Sequence, residues 1–202
     1  MKLVLASNNP GKLAELQAMF APLGVELVRQ ALTHSVDRNL IVESLWSGRT
    51  EVPRGLQWTF YGDFYIADHE NPAYDPDKAA FHYKKSGHSG PVLLRTSDVA
   101  FPGAVDAAVL YQDSAKKAGI NIEIRREPGD GYWTNVWNKQ PFCASYWGGR
   151  PVQDQMYSTA YLSTADWNDT KFKNARFDEL LIAARAELDS TKRKGIYTEM
   201  AN

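Results

Sequence analysis

The chain has 202 residues, of which 44% are hydrophobic and 12% aromatic, enough to bury the core of one domain or of one domain with a small appendage. It carries 23 basic and 24 acidic residues without a basic stripe interleaved with aromatics, which argues against a nucleic-acid partner. The single cysteine cannot form an internal disulfide and the four histidines lack ligand spacing, so we predict neither a metal site nor a cofactor.

The first part of the chain alternates short apolar segments with turn signals. Residues 3–6 predict a short strand. This apolar segment is shorter than the core of a signal peptide, which has about 7–15 residues, so we expect the chain as written to be cytoplasmic. No apolar run reaches the roughly 18 residues of a membrane span, and we expect no membrane insertion. A helix follows the strand, and Pro22 and Gly24 are predicted to end it. Further helices are predicted to start at caps formed by Asp37 and Asp75, and Gly87 is predicted to end the second of them.

The middle of the chain predicts strands that alternate with helices. In order, these are a strand at 91–96, a helix at 103–118, a strand at 120–124, a short aromatic helix around Trp133 and Trp137, and a strand at 142–147. This spacing favours parallel strands joined by right-handed crossovers. The predicted fold class is therefore α/β, a mostly parallel mixed sheet flanked by helices. A final helical stretch carries an apolar stripe of Phe177, Leu180, Leu181, Ala184 and Leu188, and Ser190 is expected to cap the last helix.

Ligands of open parallel sheets bind beyond the carboxyl ends of the strands. Three loops qualify, namely 97–98, 129–132 and the segment Trp147, Gly148, Gly149 and Arg150. In the last loop an aromatic ring, two small residues and a guanidinium follow directly after a predicted strand. Arg150 could form a bidentate pair with a carboxylate or a phosphate. The alternative is a tight turn with a surface arginine.

Two other groups of residues have the chemistry of a binding site. The aromatic residues Tyr157, Tyr161 and Trp167, with the polar Asn168 and Asp169, suit the wall of a small-molecule pocket, or else the rings fill the core. Ser7, Asn9 and Lys12 lie between a predicted strand and helix, where backbone N–H groups and a lysine suit a phosphate, although such turns are also common for structural reasons. No nucleophile elbow or acid–base pair is apparent, so we predict that the chain is not an enzyme.

Residues 1–28 resemble the start of the inosine-triphosphate pyrophosphatase family, which hydrolyses non-canonical purine nucleoside triphosphates. The match consists of a strand, the motif Ser-Asn-Asn-x-Gly-Lys and a helix. The resemblance implies that Ser7, Asn9 and Lys12 contact a triphosphate. The acidic residues that hold magnesium in that family have no counterpart after residue 28, so the resemblance does not imply hydrolysis.

The remainder of the chain resembles the dipeptide, oligopeptide and nickel class of solute-binding proteins of bacterial ABC importers. The matching segments are Val28–Arg38, Tyr74–Ala79, Ala115–Ile120, Asn174–Leu181 and Ala184–Asp189. The resemblance implies one lobe of a periplasmic two-lobed clamp, whose partners are a small-molecule solute, an N-terminal lobe that we expect to be missing here, and an ABC permease. In peptide-binding members an aspartate holds the peptide amine three residues after a strand-end tryptophan. Arg150 occupies that position, which favours a carboxylate-bearing solute.

Together the two resemblances predict a chimera, natural or engineered, of residues 1–28 and a solute-binding lobe of residues 29–202. Three readings of its function follow. The first is a solute-binding lobe with weak or no ligand binding, and the second is nucleotide binding through the N-terminal segment. The third is a folded chain without selected activity.

Overall fold

The structure is a computed structural model that describes residues 10–50, 52 and 72–201, with side chains from residue 23 onward. Within this part of the chain, residues 10–50, 72–94 and 106–125 belong to one compact unit, and residues 95–105 and 126–201 belong to a second. The predicted strand at 3–6 lies outside the described residues. The predicted division of the chain near residue 28 stays a prediction.

The described residues form eight helices and two strands. The elements are α1 (Pro10–Ser35), α2 (Arg38–Trp46), α3 (Pro76–Ser86), β1 (Val92–Thr96), α4 (Ala104–Lys116), β2 (Ile122–Arg126), α5 (Tyr132–Asn135), α6 (Gln153–Ala160), α7 (Ala175–Ala186) and α8 (Ser190–Ala201). The strands pair as β1–β2, and Arg95 of β1 also forms a single parallel bridge with Cys143. The predicted α/β class is confirmed, whereas the predicted strand at 142–147 is reduced to that one bridge.

Helix α1 corrects one prediction, because it continues through Pro22 and Gly24. The helix packs against α3, and Leu27 and Ala31 are buried. A Cβ atom at Gly24 would lie 3.4 Å from the backbone oxygen of Ser86, so the glycine allows a close approach of the two helices. Most helical stability in proteins comes from such tertiary packing. Packing therefore outweighs the local preference of proline and glycine to end the helix.

The predicted caps of the first unit are confirmed. The Asp37 carboxylate accepts a hydrogen bond from the Leu40 backbone N–H at 3.0 Å, and the Asp75 carboxylate accepts one from Lys78 at 2.9 Å. Gly87 ends α3 with a φ of 72°, a left-handed conformation that favours glycine. Local sequence chemistry thus sets the bounds of α2 and α3.

A histidine pair in the first unit was not predicted. His34 and His82 stack with their ring centroids 6.1 Å apart and an interplanar angle of 11°. The Nδ1 atom of His34 lies 2.9 Å from the Ala73 carbonyl, whereas Nδ1 of His82 is buried without a hydrogen-bond partner. Burial, followed by the charges of His34, Lys78 and Lys85, lowers the pKa of His82. The neutral form of His82 is therefore the one that suits the folded chain.

Helices α6, α7 and α8 of the second unit share an apolar cluster. Its buried members are Tyr157, Phe177, Leu181, Ala184 and Tyr197. Most of the predicted stripe on α7 is therefore confirmed as core. Leu188 is the exception, because α7 ends at Ala186 and the Leu188 side chain is 91% exposed.

The cap of α8 also differs from the prediction. The Asp189 carboxylate accepts a hydrogen bond from the Lys192 backbone N–H at 2.9 Å, and Ser190 is the first residue of the helix. An ionised carboxylate is a strong acceptor for the free N–H groups of a first turn. None of the helices in the described ranges is both long and apolar enough to cross a bilayer.

Candidate functional site

Three chain segments of the second unit leave the same edge of the sheet. The Thr96 carbonyl accepts a hydrogen bond from Glu127 N–H at 2.7 Å, just after the end of β2. On the other side of β1, the Arg95 carbonyl accepts one from Ala144 N–H at 2.8 Å. Because these segments run parallel, residues 97–98, 127–132 and 145–150 all continue beyond one edge. The three loops that the sequence predicts as ligand-binding candidates are therefore found at this edge.

Tyr132 fixes the short helix α5 to this edge. Its side chain is 1% exposed, and its hydroxyl donates a hydrogen bond to the Ala144 carbonyl at 2.7 Å. Burial, with smaller contributions from Cys143 and Glu127, raises the pKa of Tyr132 to about 12, so the hydroxyl remains a donor at neutral pH. Gly131 precedes it with a φ of 73°, and a Cβ atom there would lie 2.7 Å from Asn135 Nδ2. The turn into α5 therefore needs glycine at this position.

Two ion pairs occupy the other loops at this edge. Arg95 pairs with Glu127 in a mostly buried contact, and Arg126 pairs with Asp98 at the surface. Ser97 is buried. The charges of Asp98 and Glu127 are thus balanced within the protein, which leaves the loop after residue 144 as the strongest candidate for a ligand contact.

A cavity of about 470 Å³ opens beside that loop. Its lining residues are Trp133, Trp137, Tyr146, Trp147, Gly148, Arg150 and Trp167. The aromatic rings contact one another mostly edge to face, with centroids 5.5 to 6.1 Å apart. Such geometry is the favoured one for aromatic pairs. We call these five rings the aromatic wall.

Asp169 orients two rings of the aromatic wall. Its Oδ2 atom accepts hydrogen bonds from the indole N–H of Trp137 at 2.8 Å and of Trp147 at 3.3 Å. Hydrogen bonds to an ionised acceptor are stronger than neutral ones. The carboxylate therefore holds two segments, distant in sequence, in one arrangement.

Trp167 lies in a loop that is held by hydrogen bonds of two asparagines, Asn138 and Asn168. Asn168 is buried, and its side-chain amide donates to the Phe172 carbonyl at 2.6 Å. From the neighbouring loop, Asn138 donates to the Asp166 carbonyl at 2.8 Å and accepts a hydrogen bond from the Lys171 ammonium. These contacts fix the backbone on both sides of Trp167. Its ring is left 51% exposed at the cavity.

Arg150 brings the cationic group of the cavity. Its Nη1 atom donates to the Gly148 carbonyl at 3.3 Å and lies 3.5 Å from the Gly149 carbonyl. Within the described part of the chain, no carboxylate pairs with this guanidinium. Its remaining donors can therefore serve an anionic ligand.

The structure brings together four of the residues predicted for a ligand site, namely Trp147, Gly148, Arg150 and Trp167. Gly149 adjoins them, and a Cβ atom there would meet nothing within 4 Å. Tyr157 lies elsewhere, in the apolar cluster of α6, α7 and α8. Of the predicted phosphate contacts, Ser7 and Asn9 lie outside the described residues, and Lys12 lies on α1 with no side chain described.

The predicted site did not include Trp133, Trp137 or Tyr146, and Asp169 was grouped with Tyr157 and Trp167 rather than with the segment 147–150. The spacing of Trp133 and Trp137, four residues apart on a predicted short helix, was a usable signal for two rings on one face. Tyr146 directly precedes the predicted loop. Nothing in the sequence indicated that Asp169 reaches Trp137 and Trp147.

The family of the chain follows from a match to a protein-family model. Residues 5–169 match the model of bacterial extracellular solute-binding proteins, family 5 middle region. The chain belongs to this family. The resemblance predicted from the segments after residue 28 is confirmed, and the model begins inside the predicted N-terminal segment.

Solved structures of solute-binding proteins show the same fold. The ABC transporter substrate binding protein CtaP from Listeria monocytogenes is similar with a TM-score of 0.74 and 20% identity, over 90% of this chain and 39% of CtaP. The oligopeptide-binding protein AppA from Bacillus subtilis, in complex with a nonapeptide, has a TM-score of 0.71 and 22% identity, over 87% of this chain and 38% of AppA. The chain thus spans well under half the length of these proteins.

A second similarity concerns a short segment. The dITP/XTP pyrophosphatase of Paracidovorax citrulli is 90% identical over 31 residues, which are 15% of this chain and 16% of that enzyme. The predicted resemblance of residues 1–28 is confirmed. Two unrelated similarities in one chain support a chimera.

Proposed function

We propose that the second unit binds a small carboxylate-bearing solute in the cavity between the aromatic wall and Arg150. The supporting observation is the position of this guanidinium, which lies in an aromatic-lined cavity and pairs with no carboxylate of the described residues. The cavity lies beside a loop that leaves the carboxyl edge of the sheet, where ligands of parallel sheets are expected to bind. In the family this role is solute capture for an ABC permease, without chemical conversion, and we propose the same non-enzymatic role here.

Binding is expected to be weak. Tyr146 and Trp167 are 60% and 51% exposed, so a bound solute keeps much of its contact with water. Tight small-molecule sites bury most of the ligand surface. A peptide-like or opine-like carboxylate that covers the exposed rings is expected to bind better than acetate, because it buries more apolar surface.

Calorimetric titration with a panel of dicarboxylates, opine-like conjugates and amidated peptides tests this proposal. Replacement of Arg150 by glutamine removes a charge-assisted contact, which contributes about 1.5–3 kcal/mol, so affinity for carboxylates should fall about 10- to 100-fold. Arg150→Lys should lose part of this, because an ammonium cannot pair in a bidentate manner. Arg49→Gln is the matched control, because Arg49 is an exposed arginine of the first unit.

Two results would contradict the assignment of Arg150. One is equal binding of carboxylates by the parent chain and Arg150→Gln. The other is preferential binding of amidated peptides, which offer an amine and no carboxylate.

The 90% identity to a pyrophosphatase segment favours one alternative, nucleotide binding through the N-terminal segment. We infer that the alternative is confined to binding, because the sequence offers no counterpart of the magnesium-binding carboxylates. Pyrophosphate release from dITP with magnesium is expected at background. Saturable binding of dITP that is lost in Lys12→Gln would support this alternative, whereas pyrophosphate release that depends on Lys12 would contradict its restriction to binding.

A further inference from the structure

No side chain in the described part of the chain places a cation over a ring of the aromatic wall. In the described part of the chain, the cation–π contacts are those of Lys85 over Phe81 and of Lys117 over Tyr74, and neither belongs to the cavity. The face of a tryptophan or tyrosine ring attracts a cation electrostatically. Five rings around one cavity therefore form a cation-attracting surface that the described side chains leave open.

Asp169 strengthens this property. It accepts hydrogen bonds from the indole N–H groups of Trp137 and Trp147, at 2.8 and 3.3 Å, and it is not one of the residues that line the cavity. Its negative charge makes the potential at these two indoles more negative. The same hydrogen bonds occupy the indole donors, so the two rings present carbon surface to the cavity.

The lining residues also select among cations. None of the seven lining residues is acidic. A primary ammonium carries three donors that need acceptors, whereas a trimethylammonium group needs none and gains from burial against rings. Aromatic sites are the usual means by which proteins recognise quaternary ammonium groups.

We propose that the solute is a betaine, a zwitterion whose trimethylammonium group lies against the aromatic wall and whose carboxylate pairs with Arg150. This inference rests on the proposed function and names its substrate class. A lone cation in this cavity would be repelled by Arg150, and a carboxylate on the same molecule removes that repulsion. Short betaines of N-methylated amino acids carry both groups a few bonds apart, and such a molecule is small enough for a cavity of about 470 Å³.

Three ligands of similar size test the proposal on the unaltered chain. Glycine betaine has both charges, 3,3-dimethylbutanoate replaces the cationic nitrogen with carbon, and choline keeps the trimethylammonium group without a carboxylate. Glycine betaine should bind about tenfold more tightly than either of the others, because each of them loses one of the two charged contacts. Calorimetry measures the affinities, and the indole N–H resonances in a ¹H–¹⁵N correlation spectrum report which tryptophans respond.

A pair of variants assigns the two contacts. Trp167→Leu keeps an apolar group and removes a ring face, so it should weaken glycine betaine several-fold more than 3,3-dimethylbutanoate. Arg150→Gln should weaken both carboxylates by a similar factor and leave choline unchanged or improved. Ile182→Ala, at an exposed position of α7, is the control for a change of apolar surface in the same unit.

The outcomes separate this inference from the proposed function. If 3,3-dimethylbutanoate binds as tightly as glycine betaine and depends on Arg150, the carboxylate site stands and the betaine inference is overturned. If choline binds as tightly as glycine betaine, the carboxylate contact is overturned. If neither carboxylate binds while larger anionic conjugates do, the proposed carboxylate site stands and the betaine inference fails. If neither the two carboxylates nor the larger anionic conjugates bind, the proposed function and the betaine inference are both overturned.

Discussion

Substitution of Asp169 should loosen the aromatic wall. The carboxylate accepts two indole hydrogen bonds, a short one of 2.8 Å from Trp137 and a longer one of 3.3 Å from Trp147. A hydrogen bond to a charged acceptor contributes about 1.5–3 kcal/mol. Asp169, Trp137 and Trp147 are half-buried, so we assign about 1.5 kcal/mol of unfolding free energy to the short bond and roughly 0.5 kcal/mol to the long one. Asp169→Leu should therefore lower the free energy of unfolding by about 2 kcal/mol, and Asp169→Asn, which keeps one neutral acceptor, by about 1 kcal/mol.

Urea unfolding measures this loss, and the indole N–H resonances of Trp137 and Trp147 should both move upfield in Asp169→Leu. Asp166→Asn is the matched control, because it removes one negative charge from the same loop at an exposed position and should change stability by less than about 0.5 kcal/mol. Two results would refute the reasoning. They are an Asp169→Leu variant as stable as the parent, and an Asp166→Asn variant that loses as much stability as Asp169→Leu.

Three further predictions concern other parts of the fold. Tyr132→Phe should cost about 1–2 kcal/mol of unfolding free energy, because it leaves the partly buried Ala144 carbonyl without its hydroxyl donor, as urea unfolding can measure. Lowering the pH through about 6.5 should destabilise the parent chain, because the unfolded state binds more protons than the folded state, in which the pKa of His82 is lowered. His82→Gln should reduce that dependence in unfolding curves recorded between pH 8 and 5. Leu181→Ala should cost about 2–5 kcal/mol, whereas Leu188→Ala should change stability by less than about 0.5 kcal/mol, by the same measurement.

Each of these predictions has a result that contradicts it. Equal stability of Tyr132→Phe and the parent would show that the hydroxyl bond is replaceable by water. A pH dependence that is the same in His82→Gln and the parent would assign the acid sensitivity to other groups. Similar losses for Leu181→Ala and Leu188→Ala would mean that α7 packs differently from the described structure.

Local rules of the chain predicted the caps of α2 and α3, though not that of α8, and much of the sheet. Asp37, Asp75 and Gly87 act through their own first or last turn, so their roles can be read from a few neighbouring residues. The same rules predicted that Pro22 and Gly24 end the helix. The helix continues instead, because its packing on α3 stabilises it. Residues 142–147 have an apolar strand pattern, yet only Cys143 forms a bridge, since strand length depends on a neighbour that local sequence does not specify.

The candidate site was predictable where it depends on a single segment. Trp147, Gly148 and Arg150 are consecutive or nearly so, and their position after an apolar segment indicated the edge of a sheet. The prediction of Trp167 rests on its aromatic chemistry alone, and its contact with the rest of the cavity depends on tertiary structure. The role of Asp169 could not be predicted, because its two hydrogen bonds join residues 22 and 32 positions away in the chain.

Gly148 and Gly149 give the cavity rim an unusual tolerance to change. Neither has a positive φ, and added Cβ atoms would meet only the Arg150 guanidinium at 3.7 Å from position 148 and nothing within 4 Å at position 149. Both positions therefore have room for the first atom of a side chain, and they suit a combinatorial library. Substitutions at positions 148 and 149 could change the solute preference of the cavity while its tryptophans are kept.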